Sequence, residues 1–461
     1  MLVLSFAGAA ALGQDAANSA SYPINLPTAL QLAGAKPLDV AIASERIRVA
    51  AAELDRAKSL WLPNLYIGTD YYRHDGQLQD VTGNVFGASK STFMAGGGAS
   101  AVFAVTDAIF APLAARQAMF AREHLHRAAQ NDAVLAVAEA YFHVQQARGE
   151  LAGALDAVAK SEDLVRRTVK LAEGLVAAVE VSRTRAESSR RKQAVHSARE
   201  KLRVAGAELA RLLRLEQSLL LEPTDPPHLQ VHLIDPTLAV DQLIAIGLTR
   251  RPELAAQQAF VQATLDRLKQ EKLRPLIPSV LLRGTSANPS GTFGAGVFGG
   301  GRNDRVGNFS GRSDWDVQVV WELQSLGMGN RAKVNERKAE NQVAILEHFR
   351  LQDRVAAEVT QAHAQSQQAA ARIVDAKVGL QDAQDSVAKN VEGLNQTRRI
   401  GDVIILVIRP QEAVAAVQAM GQAYADYYSA IADYDRAQFR LYRALGHPAQ
   451  DLIQVPPVAT P

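Results

Sequence analysis

The sequence predicts a mainly α-helical protein with membrane β-strands, built as two repeats of a long helical hairpin and a pair of strands. Three observations lead to this fold class. The run from Leu113 to Glu222 has no proline and carries apolar residues at heptad spacing. Other stretches alternate in polarity as strands do, and the same order of features recurs in the second half of the chain.

Composition excludes several classes of function. The 461 residues include 50 basic and 48 acidic ones, so no net field attracts nucleic acid. There is no cysteine, which excludes disulfides and thiolate metal sites, and with them the lipid-anchored cysteine of a bacterial lipoprotein. We find no motif for catalysis or for a cofactor. His228 and His232 follow a double proline, so we do not expect them to bind a metal.

The first residues resemble an export signal. The apolar run from Leu2 to Leu12 is too short to span a bilayer and ends in small residues. Residues 1–21 are therefore expected to be a signal peptide or, alternatively, a disordered leader. No run of 18 apolar residues follows, so we expect no transmembrane helix, and any membrane crossing would be made by strands.

The long proline-free run predicts a helical hairpin. Apolar positions from Val137 to Ala172 alternate in steps of four and three, and only Arg148 and Glu162 interrupt them. Such a stripe supercoils a helix against its neighbours. We expect the chain to turn near Gly174 and to return as a helix from about Val179 to Leu215.

The two halves of the chain share one plan. Pro37 matches Pro252 and Pro63 matches Pro278 without a gap, and a strand-like run follows each pair. A register held over this length indicates duplication. The predicted parts are a first repeat at 22–215, a linker at 216–239, a second repeat at 240–446 and a flexible tail at 447–461.

Each repeat contains two predicted strands. They lie at about 64–73 and 95–107, then at about 279–286 and 315–325. The last is the clearest, because apolar and polar residues alternate along it, as in a membrane barrel strand or a soluble sandwich strand. Its predicted lipid-facing residues are Trp315, Val317, Val319, Trp321 and Leu323. The glycine-rich stretches between paired strands, including the GxGxxG match at 294–299, are interpreted as surface loops.

Four strands cannot close a barrel in lipid. A sheet within a bilayer must leave no unpaired edge, and known barrels have at least about eight strands. Three chains would supply twelve strands, and cyclic symmetry closes such a ring. Two or four chains would also close one. We therefore expect a homotrimer with a 12-stranded β-barrel.

The pattern resembles the TolC family of outer-membrane efflux proteins over nearly the whole chain. The duplication carries this resemblance, together with Pro37, Pro252 and the hairpin text GLVAAVEVSRTRAE that begins at Gly174. The resemblance implies a trimeric barrel in the bacterial outer membrane and a helical tunnel in the periplasm. It also implies passive export, with a periplasmic adaptor protein and an inner-membrane pump as partners. The pump would select the cargo, whether drug, metal ion or polypeptide.

In such a fold the turns near Gly174 and Gly401 lie together at the periplasmic end of the tunnel. The predicted adaptor-docking residues are Gly174, Leu175, Val176, Ala177, Gly401, Asp402, Val403 and Ile404. The apolar run VIILVI, which starts at Val403, is either exposed for docking or packed into the neighbouring helical pair.

The tunnel constriction departs from the family pattern. The resemblance implies a pair of aspartates after the second tip glycine, but Val407 and Pro410 occupy those positions here. Glu180 holds the equivalent place in the first repeat and is the remaining acidic candidate. Pro410 predicts the start of the return helix. The alternative to an export channel is a non-transporting coiled-coil scaffold or a secreted interaction protein, and the paired strands favour the channel.

Overall fold

The computed structural model describes residues 21–35, 37–173, 175–216, 218–284, 293–302, 305–400 and 403–453. These residues form two compact units. The first unit contains residues 1–43, 126–252 and 351–461, and the second contains 44–125 and 253–350. Each unit thus takes segments from both halves of the sequence, whereas the predicted repeats divide the chain end to end.

Helices dominate the described chain. The α-helices are α1 (Leu26–Ala35), α2 (Leu38–Lys58), α3 (Val105–Leu171), α4 (Ala178–Leu213), α5 (Val240–Arg250), α6 (Pro252–Leu273), α7 (Met328–Gly393), α8 (Pro410–Ala444) and α9 (Ala449–Ile453). Short 3₁₀ helices cover Ser59–Trp61 and Gln324–Gly327. Among the described residues, none of these helices is long and apolar enough to cross a bilayer.

The strands are shorter and fall into three sheets. They are β1 (Ser21–Ile24), β2 (Asn64–Gln79), β3 (Val85–Ala104), β4 (Leu220–Pro223), β5 (Ser279–Gly284), β6 (Ala295–Gly301), β7 (Gly307–Ser313), β8 (Trp315–Val320), β9 (Thr397–Ile400) and β10 (Val403–Leu406). Long helices with a strand-rich second unit confirm the predicted fold class.

In the first unit, α3 packs closely against α8 through glycine. A Cβ on Gly149 would lie 2.4 Å from the ring of Tyr428, and one on Gly153 would lie 2.5 Å from Tyr424. The two glycines are four residues apart, as are the two tyrosines, so both pairs meet along one helix face. The tyrosine rings fill spaces that any side chain on α3 would occupy.

The predicted heptad stripe describes only part of α3. Val137, Tyr141 and Val144 are buried as expected, but Leu155 and Val169 are exposed. Apart from Leu164, the residues buried further along α3 are small or polar: Gly153, Ala157, Ser161 and Thr168. The prediction was wrong there because small residues let α8 approach closely, and a search for apolar residues overlooks them. On α8, large apolar residues are buried, among them Val417, Ile431 and Leu441.

The predicted linker is ordered and belongs to the first unit. β4 pairs in parallel with β1, and Leu221 lies opposite Tyr22. The Asp225 carboxylate accepts the backbone N–H of Leu26 at 2.8 Å and the hydroxyl of Tyr141 at 2.5 Å. The linker therefore ties the start of the chain to α3.

Beyond Asp225 the linker is fixed to α8. The Asp435 carboxylate accepts the N–H of Val231 at 2.8 Å, and the Gln438 side-chain oxygen accepts the N–H groups of Leu233 and Ile234. Burial raises the pKa of Asp435 to about 8, although the Val231 hydrogen bond and the charge of Arg436 oppose the shift. Burial thus favours the protonated form of this carboxyl.

In the second unit, six strands occupy four adjacent positions in one sheet, here called lines. β5 and β6 follow each other along one line, as do β7 and β8 along another. β2 pairs with β3, and β3 pairs with both β5 and β6 at different points along its length. β8 pairs with β5, while β7, separated from β8 only by Asp314, pairs with β6. All these pairings are antiparallel. The four predicted strands thus correspond to the four lines, but two of these lines consist of two strand segments each.

Two predicted loops are wrong. The stretch between the first pair of strands is itself strand, because β2 and β3 continue to Gln79 and Val85 and leave a turn at 80–84. All of the GxGxxG match except its first residue, Gly294, lies on β6 instead of in a loop. There Gly96 and Gly296 face each other so closely that a Cβ on either would lie 2.2 or 2.3 Å from a carbonyl oxygen. Close approach of the two strands therefore explains the glycine at these two positions.

Candidate functional site

The first predicted tip lies in the first unit, between α3 and α4. The N–H groups of Leu175 and Val176 donate to the carbonyl of Leu171 at 2.9 and 3.1 Å, which closes the end of α3. Ala177 is extended and precedes α4, and Leu175 is exposed. Gly174 lies outside the described residues. The turn thus presents an apolar side chain at a helix end.

The second predicted tip is a β-hairpin. β9 and β10 pair in an antiparallel manner, with Thr397 opposite Leu406, and the N–H of Val407 donates to the carbonyl of Gln396 at 3.0 Å. Gly401 and Asp402 lie outside the described residues, and Val403 and Ile404 are described in backbone only. The sequence did not predict this hairpin, although an apolar, β-branched run is typical of a strand.

Buried side chains join the bases of the two tips. Leu164 of α3, Leu394 beside the hairpin and Ala413 of α8 form one buried cluster, with Leu171 and Val414 packed against it. Since Leu171 is the last residue of α3, this cluster holds the end of one helical pair beside the start of the other. The structure brings the two predicted turns to one end of the first unit.

The predicted constriction residues occupy three different environments. Val407 is exposed, and Pro410 is buried at the first position of α8, which confirms the predicted helix start. Glu180 lies in the first turn of α4 and accepts a hydrogen bond from Arg183 at 2.6 Å. Its other oxygen, Oε2, is buried and makes no hydrogen bond within the described chain. The negative charge of Glu180 is therefore largely balanced by Arg183 of the same helix.

A buried ion pair near this end was missed by sequence analysis. Glu187 is buried on α4, 2.7 Å from the Arg191 Nε, and accepts a hydrogen bond from the Gln418 side chain of α8 at 2.7 Å. Glu187 and Arg191 are four residues apart, a spacing that usually marks an exposed helix pair. The packing of α4 on α8 is what buries Glu187, whereas Arg191 stays partly exposed.

A second candidate surface lies on the sheet of the second unit. Trp315, Val317 and Val319 alternate along β8 and are all exposed, as are Trp321 and Leu323 beyond the end of the strand. Pairing places these β8 residues on the same face as Ile67 of β2, which is 91% exposed. One face of the sheet is therefore apolar and uncovered in the protomer.

The opposite face of the sheet carries charge. Asp316 accepts hydrogen bonds from Arg283 at 3.1 Å and from Gln318 at 2.8 Å. The guanidinium of Arg312 lies 5.0 Å from the centre of the Phe298 ring. Polar residues on this face thus alternate with apolar residues on the other along β8, which suits a wall between lipid and water.

No group of three or more metal-ligating side chains occurs within the described ranges. His232 lies against the ring of Tyr434 at a centroid distance of 5.5 Å, so it packs on α8. The candidate site therefore consists of two exposed surfaces, the pair of tips in the first unit and the apolar face of the sheet in the second.

Comparisons with known proteins show which proteins this chain is similar to. The model of the outer membrane efflux protein family matches residues 29–213. No curated protein sequence matches. The chain is similar in structure to a membrane protein from Pseudomonas aeruginosa, with 15% identity, a TM-score of 0.72, and coverage of 91% of this chain and 93% of that one.

Two further solved structures share the fold. The CmeC outer membrane channel of Campylobacter jejuni is 15% identical, with a TM-score of 0.70 over 97% of this chain and 94% of that one. The outer membrane protein VceC of Vibrio cholerae is 15% identical, with a TM-score of 0.69 over 91% and 96% of the two chains. The resemblance to the outer-membrane efflux proteins is therefore confirmed, since their family model matches residues 29–213 and the described chain has the fold of solved outer-membrane channels.

Proposed function

We propose that this protein is the outer-membrane channel of a tripartite efflux or secretion system and passively exports substrates from the periplasm. One observation carries the proposal. The sheet of the second unit has an apolar, exposed face, and among the described strands neither the outer edge of β2 nor that of β7 and β8 has a partner. Such edges are satisfied in lipid only when the sheet closes.

The directions of the strands support closure between copies. The four lines alternate in direction, so β2 of one copy and β8 of the next would also pair in an antiparallel manner. Closed bacterial barrels have an even number of antiparallel strands, at least about eight. Three copies supply twelve strands. In a cyclic trimer, the free β2 edge of each copy pairs with the free β7 and β8 edge of the next copy.

The helices of the first unit also have unpartnered apolar surface. Leu155 and Val169 are exposed on α3, and Val374 and Val378 are exposed on α7. In each pair the residues are four apart or a multiple of seven apart, so they form stripes suited to coiled-coil packing. We infer that neighbouring copies cover these stripes and that the assembled helices enclose a periplasmic tunnel.

The adjacent tips are the proposed adaptor-docking site. The exposed Leu175 and the edge of the β9–β10 hairpin offer apolar and main-chain contacts to a periplasmic adaptor, which would connect the channel to an inner-membrane pump. In cells that carry the cognate pump, Leu175→Asp should abolish transport while conductance of the purified channel is unchanged. Leu175→Met, which keeps the apolar surface, should transport normally. Normal transport by Leu175→Asp would remove this tip from the docking site.

Conductance tests the channel directly. The protein purified in detergent should have the mass of a trimer and should produce discrete conductance steps in a planar lipid bilayer. A stable monomer in detergent-free buffer, with no conductance, would instead identify the non-transporting scaffold or secreted interaction protein.

A further inference from the structure

Three consecutive residues in the connection between the sheet and α7 have a left-handed backbone conformation. The φ angles are 48° at Ser325, 57° at Leu326 and 87° at Gly327. Only the third is a glycine, and L-residues with side chains avoid this region because Cβ approaches the backbone. Two such residues in succession are rare, and retained strain of this kind often marks a functional site.

The turn is held by specific contacts. The N–H of Gln324 donates to the side-chain oxygen of Asn330 at 2.8 Å, and Asn330 is buried. A Cβ on Gly329 would lie 2.8 Å from the Gln324 side chain, so the two ends of the turn touch. The first half of the chain shows that a turn is not needed for such a connection, because β3 ends at Ala104 and α3 begins at Val105.

The result of the turn is an outward apolar projection. Leu326 is 94% exposed and Met328 is 71% exposed, and the exposed Leu323 precedes them. Leu276 precedes β5 at the end where Ser279 pairs with Val320, and it is exposed as well. The projection therefore continues the apolar face of the sheet beyond the end of the strands.

Charge at the adjoining helix start indicates what covers this projection. The first turn of α7 has no acidic residue, and Arg331 lies there, exposed, with the exposed Lys333 two residues further along the helix. A helix N-terminus carries a partial positive charge, so cations there are unfavourable unless an anion is near. Phosphate groups of a lipid surface would supply that anion, directly beside acyl chains that would receive Leu326.

We propose that residues 321–333 anchor the protein in the phospholipid layer that meets the sheet at its helix end. Leu326 and Met328 enter the acyl chains, and Arg331 and Lys333 contact the lipid phosphates. This inference rests on the proposed placement of the sheet in a membrane. It adds a lipid-binding element outside the strands, whose conformation is maintained against its own backbone preference.

Tryptophan fluorescence can test the anchor, because the chain has only three tryptophans: Trp61, Trp315 and Trp321. In a background with all three changed to Phe, Leu326→Trp supplies a single reporter. The probe is a vesicle of phosphatidylethanolamine and phosphatidylglycerol with acyl chains brominated near the headgroup. We expect bromination to reduce Leu326→Trp emission at least twofold, and to leave a Leu175→Trp reporter at the helix tips unchanged.

A second reporter separates the anchor from the channel. A variant that retains only Trp315 should be quenched by bromine placed deeper in the acyl chain. If Trp315 is quenched but Leu326→Trp and Met328→Trp are not, the anchor is overturned while the membrane sheet stands, and a neighbouring subunit covers the turn. If none is quenched, the membrane placement itself fails. Quenching of Met328→Trp supports the anchor where Leu326→Trp does not fold.

Discussion

Replacing Tyr141 with Phe should destabilise the first unit because one hydrogen bond, from the Tyr141 hydroxyl to Asp225, is lost. The Tyr141 ring is completely buried, and its hydroxyl donates to the Asp225 carboxylate at 2.5 Å. Among the described residues, the same oxygen, Oδ2, accepts one other hydrogen bond, from the N–H of Leu26 at 2.8 Å. Tyr141→Phe therefore leaves a partly buried carboxylate with one donor in place of two.

The magnitude follows from the charge on the acceptor. A hydrogen bond to a charged group contributes about 1.5–3 kcal/mol, compared with about 1 kcal/mol for a neutral pair. In a unit of this size each kcal/mol shifts the thermal midpoint by about 2 °C, so we expect a decrease of about 3 to 6 °C. Far-UV circular dichroism of the detergent-solubilised protein measures the midpoint, at one scan rate for all variants because unfolding is expected to be irreversible.

Two further variants make the test specific. Tyr427 makes no hydrogen bond through its hydroxyl within the described chain, so Tyr427→Phe should shift the midpoint by no more than about 1 °C. In an Asp225→Asn background the acceptor is neutral, so Tyr141→Phe should cost less than in the wild type. Equal shifts for Tyr141→Phe and Tyr427→Phe would refute the argument that Asp225 fixes the linker through this bond.

Other consequences can be measured in the same preparations. The pKa of Asp435 is raised to about 8 from 3.8, so its contribution to stability is complete below pH 3.8 and is lost as pH rises through 8; the wild-type midpoint should fall across this interval more than that of Asp435→Asn. Gly153→Ala should destabilise the protein by about 1–3 kcal/mol in the same melts because its Cβ would meet Tyr424, whereas Gly379→Ala on α7, with open space around it, should stabilise it by about 0.5–1 kcal/mol. Glu180→Gln should reduce cation selectivity in single-channel recordings, and unchanged selectivity would show that this carboxylate does not control ion passage.

Much of the fold follows from local patterns in the sequence. The strand-like runs after Pro63 and Pro278 predicted the starts of β2 and β5, and Pro410 predicted the start of α8. The alternation that starts at Trp315 predicted an apolar sheet face. These features depend on one residue type or on a period of two, so a short stretch of sequence is enough to define them.

The missed features depend on contacts between distant segments. Gly296 resembled a loop residue because glycine is common in turns, yet it is needed where β6 approaches Gly96 of β3. Gly153 lies outside the predicted apolar stripe, although α8 makes it a buried contact. Glu187 resembled a surface residue until Gln418 was placed beside it. The left-handed turn at Leu326 gives no signal at all, since leucine rarely adopts that conformation.

Cross-linking across the free sheet edges tests the central claim most directly. The chain has no cysteine, so the double variant Leu65→Cys, Val319→Cys places the only thiols near the helix ends of β2 and β8. On oxidation we expect covalent trimers on a denaturing gel. A control with Leu65→Cys and Phe309→Cys, whose second thiol lies on β7 near the far end of the same line, should remain monomeric on the gel. Monomers from both variants, or cross-links in the control alone, would contradict closure of the sheet between copies.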